Sequence, residues 1–167
     1  LLEDLGSTTL YDIIDVGNLC PLKRKHFVRQ LLEALRYLHE DVNVAHLDIK
    51  TENVMVRNQS LKVIDFNLSY KYKKNEDEFT ILKRCGTRSF AAPEVLEGTR
   101  HFSGYRADVW SFSVLVFCLI FSKMPFNQSS MDCSLFARFS RTQELPIDVF
   151  RGMYPSLKWD TSPEEEL

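Results

Sequence analysis

His46-Leu47-Asp48-Ile49-Lys50-Thr51-Glu52-Asn53 is the stretch on which the reading of this 167-residue chain turns. Within eight positions it sets an imidazole, a carboxylate, an ammonium group and a carboxamide among apolar residues that can turn into a core. Asp65-Phe66-Asn67 follows twelve residues after Asn53, and Ala92-Pro93-Glu94 comes further on. Each piece alone says little. A loop Asp is usually a turn former, and a lone His is usually a packed or surface imidazole. The ordered set is far more specific than any member.

Around this stretch the chain reads as one globular domain over residues 1–167, long enough to bury its own core. Its hydrophobic fraction of 44% is ordinary, and its net charge of −2 gives no reason to expect nucleic acid or an anionic membrane. Lys71, Lys73 and Lys74 are answered at once by Glu76, Asp77 and Glu78, the pattern of a solvated loop. Cys20, Cys85, Cys118 and Cys133 form no C-x-x-C pair, so a structural zinc site is not expected. This cysteine usage suits a reducing compartment, the cytoplasm or the nucleus. The triplets beginning at Asn58, Asn67 and Asn127 spell glycosylation acceptors and are read as chance.

Periodicity supplies the elements. Residues 10–14 suggest a short helix. Phe27, Val28, Leu31, Leu32, Leu35 and Leu38 fall at helical spacing and predict an amphipathic helix over 23–39. Apolar runs at 54–56 and 61–64 flank Arg57-Asn58-Gln59-Ser60, a hairpin signal. Residues 67–90 are polar and irregular, as an ordered functional loop is. Residues 107–123 are apolar almost all round. A membrane span needs roughly 20 apolar residues; this run is shorter and carries Asp108 near its start. It is therefore read as a helix buried within the domain and ended by Pro125. A further helix is expected over 130–141.

The polar residues of the opening stretch suit phosphoryl transfer, which asks for a positioned nucleophile, metal ions on the phosphates and positive charge near the transferring group. Asp48 can accept the proton of an attacking hydroxyl. Lys50 can neutralise the transferring phosphate. Asn53 and Asp65 offer hard oxygen ligands for Mg²⁺. The intervening hairpin can bring Asp48, Asn53 and Asp65 together.

Taken in order, these motifs resemble the large lobe of eukaryotic protein kinases. Residues 46–53 match the catalytic loop H-R-D-L-x-x-x-N, Asp65-Phe66-Asn67 looks like D-F-G, and Ala92-Pro93-Glu94 matches A-P-E. The resemblance covers residues 3 to about 159. It implies an α+β, mainly α-helical fold, a kinase-like large (C-terminal) lobe truncated at both ends. It implies catalytic roles for Asp48, Lys50 and Thr87, the last from the substrate-docking Gly86-Thr87. Glu3 and Leu5 would contact adenine at the hinge, Met55 would floor the adenine pocket, and Asn53 and Asp65 would hold Mg²⁺ against ATP. His46 and Phe66 match a stacked column that joins the lobes, and Asp108-Val109-Trp110-Ser111 matches a buried helix whose Asp holds the catalytic loop. Lys50 with Thr87 is the serine/threonine pattern, so the implied partners are ATP and a protein substrate. A regulatory protein partner is a further expectation near residues 130–141. Leu10-Tyr11-Asp12-Ile13-Ile14, Val114-Leu115-Val116-Phe117-Cys118, Met124-Pro125-Phe126 and Phe136-Ala137-Arg138-Phe139 look most like the SH3-binding-domain kinases.

Two departures bear on function. Asn67 replaces the Gly of D-F-G; Asn is the substitute that best tolerates positive φ. Leu47 replaces an Arg that pairs with phosphate bidentately. Both departures lend something to an alternative reading, a pseudokinase acting as a binding or scaffolding module. Leu1 and the incipient helix at Ser162-Pro163-Glu164 read as cut ends, without a glycine-rich loop or its strand Lys. The piece alone is accordingly expected to bind ATP poorly and not to turn over. Because Leu47 cannot answer a loop phosphate, phosphorylation of Thr80 or Ser89 is not expected to be the main switch. The check is activity in Thr80→Ala and Thr80→Glu: loss in the first and recovery in the second would overturn this.

Overall fold

A computed structural model describes residues 6–15, 19–73, 76, 80–81, 85–98 and 101–144. Five helices and two small antiparallel sheets are found among them, in the order α1 (Leu10–Asp15), α2 (Pro21–Arg36), β1 (Val44–Ala45), β2 (Val54–Arg57), β3 (Ser60–Val63), β4 (Tyr70–Lys71), α3 (Pro93–Leu96), α4 (Gly104–Phe121) and α5 (Ser134–Thr142).

Helix α1 starts where Thr9 and Asp12 cap each other. Asp12 Oδ2 accepts the Thr9 N–H and hydroxyl, both at 2.7 Å, and the Asp12 N–H donates to Thr9 Oγ1 at 3.3 Å. Helix α2 opens with Pro21 in its first turn, a position where a missing N–H costs nothing. Phe27, Leu31 and Leu35 form its buried face, while Leu32 is 54% exposed and lies outside the stripe predicted for it. The helical backbone continues past Arg36 as a wider π turn, Tyr37–Asp41, which buries Leu38.

The hairpin forms as expected. Strands β2 and β3 pair from Val54↔Val63 to Arg57↔Ser60, and Asn58 and Gln59 turn between them with φ of 49° and 65°. Left-handed φ at both central residues is the two-residue hairpin turn whose twist suits the strands. Gln30 on α2 fastens this hairpin, its side chain donating to the Gln59 carbonyl and accepting the Leu61 N–H, each at 2.9 Å. The described residues of 67–90 are less irregular than their composition suggests. Within them β4 pairs with β1, Val44↔Lys71 and Ala45↔Tyr70, and Ile81 bridges to Phe102.

Helix α4 begins at Gly104, capped by Ser103 Oγ on the Arg106 N–H, and ends in left-handed Ser122 before Pro125 is reached. It is not buried all round: Val109 is 50% exposed and Ile120 39%. Its inward residues join the two cores. One gathers Leu10, Phe27, Leu31, Ile49, Val54, Leu115 and Leu119; the other gathers Ala45, Leu47, Tyr72, Ile81, Val95, Phe102 and Ala107. Burial, with the Glu52 carboxylate adding to it, pushes the Cys118 thiol up to about 12. Helix α5 starts at Ser134, four residues later than its pattern suggests, because residues 130–133 turn back with the Cys133 N–H on the Ser130 carbonyl at 2.9 Å.

Gly104 is the closest approach between α4 and the β1/β4 pair. A Cβ there would lie 2.6 Å from the Ala45 Cβ, 2.7 Å from Ile81 Cδ1 and 3.0 Å from the Tyr72 hydroxyl. Gly104→Ala is expected to lower unfolding stability by about 1–3 kcal/mol, the usual cost of overpacking, seen as a fall in the urea midpoint.

Candidate active site

The site is assembled on one buried carboxylate. Asp108, fully buried on α4, accepts the backbone N–H of His46 on Oδ2 and that of Leu47 on Oδ1, both at 2.7 Å. His39 Nε2 lies 2.9 Å from Oδ2 as a further donor. Such burial is tolerable for a carboxylate only when it is hydrogen-bonded this fully. The Asp108 role implied by the resemblance is therefore present in the geometry. His39 belongs to the same cluster, and its ring lies 4.6 Å from that of Tyr105. It is 69 residues from Asp108, so no local pattern signals the pair.

Held at its N–H, Leu47 adopts φ of 66°. A left-handed conformation costs an ordinary L-residue about 1–2 kcal/mol. Leu47 offsets that by burying its side chain to 5% exposure, in the core opposite to the one that takes Ile49. The two apolar side chains thus grip different cores, and Asp48 is presented between them. His46, also fully buried, donates from Nε2 to the Ile64 carbonyl at 2.9 Å and accepts the Asp48 N–H on Nδ1 at 3.2 Å. This pattern assigns a neutral imidazole with its proton on Nε2. The Phe66 ring lies 4.7 Å from it, with Phe66 43% exposed.

Both oxygens of Asp48 are engaged. Oδ2 accepts Lys50 Nζ at 2.7 Å and Asn53 Nδ2 at 3.0 Å, and Oδ1 accepts the Thr87 hydroxyl at 2.8 Å. Lys50 Nζ also donates to Thr87 Oγ1 at 2.9 Å, closing a ring of Asp48, Lys50 and Thr87. Gly86 makes this approach possible. Its φ is +81°, and a Cβ on it would lie 2.8 Å from the Leu47 carbonyl oxygen. Glycine is required there both for conformation and for space.

Asn53 donates a second bond, to the Asp48 carbonyl at 2.9 Å, which fixes the orientation of its amide. Asp65 comes beside it through the hairpin, since the Ile64 N–H donates to the Asn53 carbonyl at 2.9 Å. Asp65 itself is exposed and left-handed, with φ of 62°. In this loop the positive φ falls on Asp65, which tolerates it, and Asn67 does not take one. Met55 is buried on β2, bridged to Thr9. Glu3 and Leu5 lie outside the described residues.

The profile of the family described as Protein kinase domain matches residues 1–163. The chain belongs to that family. Among similar proteins, Protein kinase kin1 of Schizosaccharomyces pombe is 37% identical over 143 residues, 84% of this chain and 15% of that protein. A Probable serine/threonine-protein kinase KIN1 homolog of Encephalitozoon cuniculi is 38% identical over 136 residues, 78% of this chain and 23% of that protein. Maternal embryonic leucine zipper kinase of Xenopus laevis is 32% identical over 161 residues, 95% of this chain and 23% of that protein. The chain thus spans less than a quarter of the length of each of these relatives. None of the three bears the name of an SH3-binding-domain kinase, and that narrower resemblance gains no support from them.

Asp108→Ala would strand three donors, two of them backbone N–H groups. Each buried donor left without a partner costs about 1–3 kcal/mol. The variant is expected to lose at least about 3 kcal/mol of unfolding stability, which chemical denaturation followed by tryptophan fluorescence would measure.

Proposed function

We propose that this chain provides the catalytic residues of a serine/threonine protein kinase, moving the γ-phosphoryl group of ATP to Ser or Thr hydroxyls of a protein substrate. The observation that carries the reading is the Asp48 carboxylate, held on both oxygens by Lys50, Asn53 and Thr87. The described elements correspond to the larger, helical lobe of such a domain.

On this reading Asp48 orients the substrate hydroxyl and accepts its proton as the oxygen attacks. Lys50 lies one hydrogen bond from Asp48 and supplies positive charge where the transferring group gathers negative charge. Thr87 ties the docking loop to the catalytic loop, so that seating a protein substrate and orienting Asp48 become one event.

The donors fit Mg²⁺. Among the described residues no group of three or more His, Cys, Asp or Glu side chains could cage a metal by itself. What the site offers is the amide oxygen of Asn53, whose nitrogen is committed to Asp48, and the exposed carboxylate of Asp65, hard oxygens that would share a cation with phosphates and water as Mg²⁺ prefers. When bound, Mg²⁺ would neutralise charge on the phosphates of ATP. Met55, Glu3 and Leu5 are proposed for the adenine side on the strength of the family resemblance.

The test is transfer of labelled γ-phosphate to a generic basic protein by the full-length protein with Mg²⁺. Asp48→Asn keeps the shape of the side chain but cannot accept the proton, and is expected to lower kcat by about 10²–10⁴-fold. Equal rates in wild type and variant would overturn the assignment.

A further inference from the structure

The segment between Asp65 and Gly86 holds a polar cluster that the catalytic arrangement leaves unused. Its centre is Glu76. Glu76 Oε2 accepts the Lys73 N–H at 2.8 Å, and Oε1 accepts the Thr80 hydroxyl at 3.3 Å together with the Tyr70 phenol. One carboxylate therefore gathers three points of the segment onto itself. Tyr70 connects the cluster to the fold, since it pairs with Ala45 across the β1/β4 ladder and meets Tyr72 edge-on at 5.0 Å. The next residue after Thr80, Ile81, bridges to Phe102 and packs in the same core as Leu47.

The cluster is that of a charged acceptor. The Lys73 N–H, followed by the Tyr70 hydroxyl, holds the Glu76 carboxyl below its ordinary range, and the same contact with Glu76 raises the Tyr70 phenol. Both directions describe an ionised Glu76 against a neutral phenol. Residue 47 cannot serve as cationic partner for a phosphate on this segment, because Leu47 is apolar and its side chain is committed to the core.

Building on the kinase reading above, we infer that Glu76 is the ordering anion of Tyr70, Lys73 and Thr80, a positioning residue that acts on the substrate side of the site through Ile81 and the core it shares with Leu47, and that negative charge added at Thr80 breaks these contacts. A carboxylate in place of the Thr80 hydroxyl would remove a donor to Glu76 and set like charges about one hydrogen bond apart, which repel.

Amide exchange at Lys73 reads the cluster without reference to catalysis. In the full-length protein, Glu76→Gln is expected to speed exchange at Lys73 about tenfold, as a hydrogen bond to a charged acceptor is lost. Unchanged exchange overturns the inference. In the phosphotransfer assay, Glu76→Gln and Thr80→Glu are expected to raise KM for the protein substrate several-fold while KM for ATP holds, with Glu76→Asp recovering part of the loss. A Thr80→Glu variant more active than wild type overturns the inference as well. Wild-type protein that transfers no phosphate would sink the kinase reading alone, and Lys73 exchange would still decide whether Glu76 orders the segment.

Discussion

The buried Asp108 carboxylate is the constraint on which the rest of the molecule depends. An ion removed from water must be matched by donors, and two of its donors here are consecutive backbone N–H groups, those of His46 and Leu47. Satisfying the charge therefore means bending one particular piece of chain onto the start of α4. The most apolar helix and the most polar loop become one unit for that reason. His39 adds a donor from the turn that follows α2, so three separate parts of the chain converge on a single side chain.

Bending the loop this way has a conformational cost, and part of it falls beside Asp48. Leu47, which precedes Asp48, and Gly86, which packs against the Leu47 carbonyl, both take left-handed φ. Strain of this kind persists only where the surroundings over-determine it. For Leu47 the surroundings are the Asp108 bond and a core; for Gly86 they are the Leu47 carbonyl, close enough to exclude any side chain. The result is a carboxylate whose direction is set by hydrogen bonds on both oxygens.

The leucine at position 47 sets both the packing and the charge of the loop. An arginine there would bring a cation to the loop that a phosphate on the segment after Asp65 could use. Leucine instead belongs to the core shared by Ala45, Tyr72 and Ile81, and the segment's polar contacts turn inward on Glu76. The same substitution therefore strengthens packing and removes one electrostatic partner.

Much of the site was readable from sequence because it is local. Asp48, Lys50 and Asn53 lie within six residues, and hairpin periodicity with a polar turn carries Asp65 back to them. The hairpin, α1 and the body of α2 followed from spacing alone, since side-chain period records which face meets a core. What sequence could not give depends on partners distant along the chain. The choice of His39 over the other histidines rests on Asp108, 69 residues on. The hold of Gln30 on the hairpin crosses 29 and 31 residues. The late start of α5, the exposed flank of α4 and the left-handed φ of Asp65 were likewise decided by packing, because propensity sets what a residue can do and only its neighbours in space select what it does.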